Sequence, residues 1–217
     1  MLSGNLSASR SRVRTTPVRE GILDQAYPFH FGVAVADLDV TLSYYTALGT
    51  TEWATSGWKT AVYFDALNGR VIEVRSRVAF GRLNDGVALE FIEVDRSGPV
   101  PYVWDIESPA CSPHLAYWVD DPRAAAAELV RHGSRLLQAR ASSPQLLEMS
   151  SVPDPKWLPD ALDACYLSGP GGLFVELVPR SIFATRLPAT FGPEIQVILP
   201  APDRERGQAG HEPEQRG

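Results

Sequence analysis

The chain changes its hydrophobic period in the same way twice. In FHFGVAVADLDVTLSYYTALG, residues 29–49, large and small positions alternate from 30 to 36, and the spacing then becomes helical through Leu42, Tyr45 and Leu48. The alternation predicts a strand, Asp37 or Asp39 is placed to cap the helix that follows, and Gly49 ends it. In PHLAYWVDDPRAAAAELVRHG, residues 113–133, the plan recurs with a strand over 114–119, an aspartate pair, Pro122 at the helix start, an alanine-rich helix and Gly133 as the stop.

The two copies are in register. A separation of 84 residues divides His30 from His114 and Gly49 from Gly133, and 86 divide Glu90 from Glu176, each glutamate interrupting an apolar strand, VALEFIEV (87–94) or GLFVELVPR (172–180). One module of about 70 residues therefore occurs twice, a self-similarity that constrains the fold before any other feature. The segments TTEWAT, KTAVYFDAL and RVIEVRS in the first copy, and SRLLQAR and DACYLSG in the second, read as further strands. The plan is βαβββ, twice, an α+β fold. Module one spans 28–98 and module two 110–182 within a domain at 25–185. Residues 1–24 read as a disordered tail, and 186–217 as a C-terminal extension, mostly disordered, in which His211 has no ligand role. The second module carries an insertion over 140–163, of a size usual for a lid or binding loop.

Strand alternation decides which residues share a face. His30 shares its face with Gly32, Ala34 and Ala36, while Phe31, Val33 and Val35 turn to the helix side. His114 goes with Ala116 and Trp118, Glu90 with Ala88 and Ile92, and Glu176 with Phe174 and Val178. Small residues around His30 leave a concave surface. A carboxylate in mid-strand among apolar neighbours is costly to bury unless it is paired or coordinates a cation. Two histidines and two glutamates facing one cup make an N₂O₂ donor set suited to Zn²⁺, Ni²⁺, Co²⁺, Mn²⁺ or Fe²⁺. His132 differs, standing in the last turn of the second helix, where a cation complements the dipole.

These segments resemble the vicinal oxygen chelate superfamily, which includes glyoxalase I, methylmalonyl-CoA epimerase, extradiol dioxygenases and bleomycin resistance proteins. The opening strand and helix of each module, VALEFIEV and GPGGLFVELVPR carry the likeness over residues 28–180. The resemblance implies that the modules curl a mixed sheet into a cup with one divalent metal ion held by His30, Glu90, His114 and Glu176. Four competent ligands place the chain nearest the glyoxalase I and epimerase branch. A metal-dependent isomerase or lyase is implied, removing a proton α to a carbonyl, with Glu176 preferred over Glu90 as base. An extradiol-type Fe(II) dioxygenase and a small-molecule binding or antibiotic resistance protein are the alternatives. By resemblance the cup forms within one chain or between two, and a homodimer is the expected assembly.

Composition narrows the partners. The net charge of −6 leaves no basic field for nucleic acid or an anionic membrane. No apolar run reaches the roughly 18 residues of a membrane span, and Cys111 and Cys165 match neither a disulfide framework nor a CxxC motif, so a cytoplasmic location is expected. Trp118, on the His114 face, and Trp157, in the insertion, are candidate contacts for a small apolar or aromatic substrate. Trp53, Trp58 and Trp104 are assigned to core or interface. With two lysines and scattered arginines, no phosphate-clamping cluster is apparent.

Overall fold

The computed structural model describes residues 26–82, 87–108, 111, 113–141 and 162–202. Nine strands form one sheet: β1 (Tyr27–Val35), β2 (Trp53–Thr55), β3 (Lys59–Asp65), β4 (Arg70–Arg82), β5 (Ala88–Val94), β6 (His114–Val119), β7 (Leu136–Ala141), β8 (Leu162–Ser168) and β9 (Phe174–Pro179). Helices α1 (Leu38–Ala47) and α2 (Pro122–Arg131) follow the opening strand of each module. Asp37 and Asp121 are their N-caps, accepting from the amides of Val40 and Ala124, and Gly49 and Gly133 follow their ends at φ of 107° and 96°. His132 pairs with Glu128 on the surface of α2, 3.1 Å away.

The strand order is β2-β4-β3-β7-β8-β9-β6-β1-β5, and an additional β4–β5 pairing closes the circuit into a mixed, strand-dominated, barrel-like cup. Closure depends on β4. This strand runs six residues beyond the Ser76 limit expected from sequence; residues 70–76 pair with β3 and residues 76–82 with β5. The extension reads RVAFGR, and its Gly81 has no side chain because the Trp53 ring of β2 lies against it. Three-residue β2, paired only with β4, gives the first module one strand more than the βαβββ formula.

The predicted faces hold. Phe31, Val33 and Val35 pack with Leu38, Leu42 and Tyr45 of α1 on the convex side, and Val119, Leu177 and Val175 pack with Ala125 and Ala126 of α2. Leu48 is the exception on α1, 66% exposed beside the equally solvated Val40 and Tyr44.

The C-terminal extension requires a correction. It was expected to be mostly disordered from 186 to 217, but α3 (Arg186–Phe191) and α4 (Ile195–Ile198) fold against the cup. Ile195, Ile198 and Leu199 are buried with Phe29, Ala54, Phe80 and Trp118. Pro188, Gly192 and Pro193 break the segment into pieces too short to show a helical period, while its apolar residues have the inner wall of the cup to cover. Residues 203–217, like the N-terminal tail at 1–24, lie outside the described residues. Ile195→Ala should therefore cost about 2–5 kcal/mol of global stability, the usual range for emptying a buried aliphatic site; chemical denaturation that finds no loss would show that α4 is not part of the cooperative unit.

Candidate metal centre

Four adjacent strands, in the order β5-β1-β6-β9, each contribute one polar side chain to the interior. Their register explains the convergence. Gly32 on β1 is the partner of both Glu90 on β5 and His114 on β6; Ala116 on β6 is the partner of both His30 on β1 and Glu176 on β9. Gly32 and Ala116 are themselves 84 residues apart, so the duplicated module is repeated in space about the β1–β6 seam. The cluster is complete within one chain.

At Gly32 the close approach demands glycine. A Cβ there would collide with the His114 imidazole and lie 2.9 Å from Oε2 of Glu90. Phe29 also turns inward, because β1 carries one extra residue opposite β6 between Pro28 and His30, and a bulge of this kind re-aims the side chain it displaces.

All four residues are buried, and one ligating atom of each lies within 4.8 Å of the others. Nε2 of His30 is 3.1 Å from Nε2 of His114, 3.2 Å from Glu90 Oε2 and 3.0 Å from Glu176 Oε2. Nε2 of His114 is 3.0 Å from Glu90 Oε2 and 3.3 Å from Glu176 Oε2. Donor atoms about 2.1 Å from a common ion are separated by about 3.0 Å at right angles and about 3.4 Å at the tetrahedral angle. The five distances fall in that interval. Oε2 of Glu176 is buried with no hydrogen bond of good geometry, as expected of an atom whose partner is a cation. The donors therefore fit a divalent transition metal.

Left to themselves, the four side chains hold protons where the ion would sit. Burial alone would drive both imidazoles toward neutrality, but the two carboxylates outweigh it, raising His30 and lifting His114 to about 9. Burial likewise opposes ionisation of Glu90 and Glu176, and the imidazoles reverse this, holding both glutamates below the ordinary carboxylate value.

The centre lines a cleft of about 910 Å³, counting the open solvent at its mouth. Trp118 borders the cleft but is enclosed, its ring stacked 3.7 Å from Phe29 and its indole N–H donating to the Pro200 carbonyl. Trp157, the other tryptophan candidate, lies outside the described residues, as does most of the insertion. Trp104, assigned to core or interface from sequence, is a wall of the cleft. Tyr63, Tyr166, Arg140, Asp163 and the α3 residues Arg186, Leu187 and Phe191 also line it and were not anticipated. Tyr166 could have been found, since it shares alternation with Ala164 on β8 and is the register partner of Glu176. Burial raises Tyr63 to about 12 and, with the charges of Glu176 and Glu90, raises Tyr166 well above its ordinary value. Both phenols stay protonated. Cys111 and Cys165 are free thiols.

The chain belongs to the glyoxalase/bleomycin resistance protein/dioxygenase superfamily, whose family profile matches residues 29–145, over half the sequence. Solved structures similar to it include a mutant of 4-hydroxymandelate synthase from Streptomyces coelicolor, at 17% identity and a TM-score of 0.41, covering 71% of this chain and 48% of that one. A glyoxalase family protein from Bacillus cereus is 15% identical, with a TM-score of 0.22 over 68% of this chain and 89% of that one. A glyoxylase/bleomycin resistance protein/dioxygenase domain from Frankia sp. EAN1pec is 16% identical, with a TM-score of 0.21 over 69% and 94%. The chain thus spans about half the length of the 4-hydroxymandelate synthase. Comparison with curated protein sequences gave no match. The superfamily includes metal-dependent enzymes, and this chain has a buried His/Glu cluster able to hold an ion. Among the described residues no helix is long and apolar enough to cross a membrane.

Two outcomes are expected. Gly32→Ala should displace His114 and lower metal affinity by at least about tenfold, roughly the effect of disturbing a ligand's support, as read by competition with a chromogenic chelator; unchanged affinity would contradict the packing described. The second concerns pH. In chelator-treated protein the raised histidines contribute stability that is complete below 6.5 and lost as pH rises through their elevated values, about 9 for His114. The lowered glutamates contribute stability present above 4.5 and lost as pH falls through their depressed values. The melting temperature of the chelator-treated protein should fall between pH 7 and 10 relative to metal-loaded protein, whose ligand histidines carry no proton at Nε2; parallel profiles would rule out this account.

Proposed function

We propose that this protein is a metal-dependent isomerase or lyase of the vicinal oxygen chelate type, with His30, Glu90, His114 and Glu176 as ligands to one Zn²⁺, Ni²⁺, Co²⁺, Mn²⁺ or Fe²⁺ ion. The observation that carries the reading is the set of five donor separations between 3.0 and 3.3 Å at the buried end of an open cleft. Bound there, the ion supplies Lewis acidity and open positions for two neighbouring substrate oxygens, which acidifies the carbon-bound proton α to a carbonyl.

Glu176 is the preferred base. Its Oε2 lies 3.0 and 3.3 Å from the two imidazoles, and its cross-strand partner on β8 is a phenol, whereas that of Glu90 on β4 is Phe80. Glu90 Oε2 contacts both imidazoles in the same way, and Glu90 is the second candidate. Protonated Tyr166, the register partner of Glu176 on β8, flanks the base and can donate to it. Apolar walls from Phe29, Phe80 and Phe191 exclude water from the reacting carbon. The position of Glu90 favours this chemistry over an extradiol-type Fe(II) dioxygenase, because a fourth protein ligand departs from the two-histidine, one-carboxylate triad that leaves positions for oxygen. The reading includes a homodimer, supported by the solvated apolar stripe Val40, Tyr44 and Leu48 on α1 and testable by light scattering.

Elemental analysis of untagged protein should find about one divalent ion per chain, with His114→Ala and Glu176→Ala losing it. Metal-loaded protein should then exchange the α-proton of at least one member of a panel of α-hydroxy ketones and 2-oxo acids in deuterated water. Glu176→Gln should slow that exchange by about 10²–10⁴-fold, the usual contribution of a positioned base. Absence of metal after reconstitution would overturn the reading, and full exchange by metal-loaded Glu176→Gln would overturn the base assignment alone.

A further inference from the structure

One part of the cleft lining is cationic. Lys59, Arg140 and Arg186 line it, with Asp163 as their one acidic neighbour there among the described residues. Asp163 is buried, and its carboxylate is held by Arg186, which α3 brings across from the C-terminal segment. Arg140 is bound less closely: its Nε is 3.8 Å from the same Asp163 oxygen, beyond hydrogen-bonding distance. Its guanidinium lies 5.9 Å from the centroid of the Tyr63 ring. Among the described residues it makes no hydrogen bond, although its side chain is only 40% exposed. Lys59 is spent in part on the Thr190 carbonyl, 3.4 Å away.

Trp104 borders the same cleft. The indole N–H of Trp104 is buried without a hydrogen-bond partner, a state that usually costs free energy unless an acceptor arrives from elsewhere. Trp104 packs edge-on to Tyr63 at 5.1 Å and to Tyr166 at 5.7 Å. The count of charges points the same way. Among the described residues, three cationic side chains on the lining are matched by three carboxylates, Glu90, Glu176 and Asp163. A divalent ion leaves the cleft formally two charges positive, which is unfavourable among apolar walls without a compensating anion.

From these features we infer that the cleft takes an amphipathic carboxylic acid, its carboxylate held by Arg140 and its apolar body against Phe29, Phe80 and Phe191. The inference names the substrate class for the function proposed above and rests on that reading only for the charge contributed by the ion. Arg140 is a specificity-determining residue here: its planar fork suits a carboxylate in two-point contact, and its fixed charge rejects a neutral isostere.

The test uses 3-phenylpropanoate and its neutral amide, 3-phenylpropanamide, titrated into full-length protein and followed by tryptophan fluorescence and calorimetry. Zinc-loaded and chelator-treated samples of wild type, Arg140→Gln and Arg140→Lys are compared. The zinc-loaded wild type should bind the acid at least about tenfold more tightly than the amide, the scale of one charge-assisted contact. Arg140→Gln should erase that preference while leaving amide affinity, zinc content and melting temperature unchanged, and Arg140→Lys should retain part of it. Equal binding of acid and amide to the wild type, or binding of neither, would overturn the inference. So would a preference that survives in Arg140→Gln, because the carboxylate would then sit on the ion or on another cation. An Arg140-dependent preference in chelator-treated protein that takes up no zinc would uphold the anion site while rejecting the metal reading, so the two fail separately.

Discussion

Two carboxylates and two imidazoles buried together are the condition around which this chain is arranged. None of the four could be enclosed alone at acceptable cost; each is tolerated because the other three, with protons or a cation, complete its interactions. That mutual dependence requires β5, β1, β6 and β9 to lie side by side in one register. A slip of one residue would turn every ligand toward the helices. Gly32 and Ala116 make the register possible, since each is flanked by two ligands from neighbouring strands and neither fills the space those side chains need.

The remainder of the fold serves this seam. Helices α1 and α2 cover the convex side and pin the opening strands from behind. The long β4 bends from β3 to β5 and closes the sheet, so the first glutamate strand is paired on both sides. The C-terminal helices then wall one side of the concave surface, turning a shallow cup into a cleft with an apolar flank and a cationic one. The parts divide accordingly: the duplicated modules carry the four buried polar side chains, and residues outside the duplication complete the walls of the cleft beside them.

Much of this was legible in the sequence because it follows from local rules. The change of period from two to 3.6, the aspartate caps and the glycine stops mark β1–α1 and β6–α2 with little ambiguity. The offset of 84 residues makes the two histidines equivalent, and strand parity places them on the face of the glutamates. Less legible was anything depending on contacts between distant segments. Trp104 reads as an ordinary core residue, and only its packing against Tyr63 and Tyr166 brings it to the cleft wall. Arg140 is one of many scattered arginines until β7 and β8 set it beside Asp163. The segment 186–202 carries too many helix breakers to announce itself.

What the sequence determined alone, then, is the repeated module, the faces of its strands and the chemical type of the four inward polar groups, because alternation and duplication are properties of the chain itself. What the tertiary structure decided is that all four meet within one chain, at separations suited to a single ion, in a cleft bounded by Trp104, Arg140 and the C-terminal helices. Those facts depend on strand order, on the closure through β4 and on the burial available to short apolar stretches, and each is settled by packing between residues far apart in the chain.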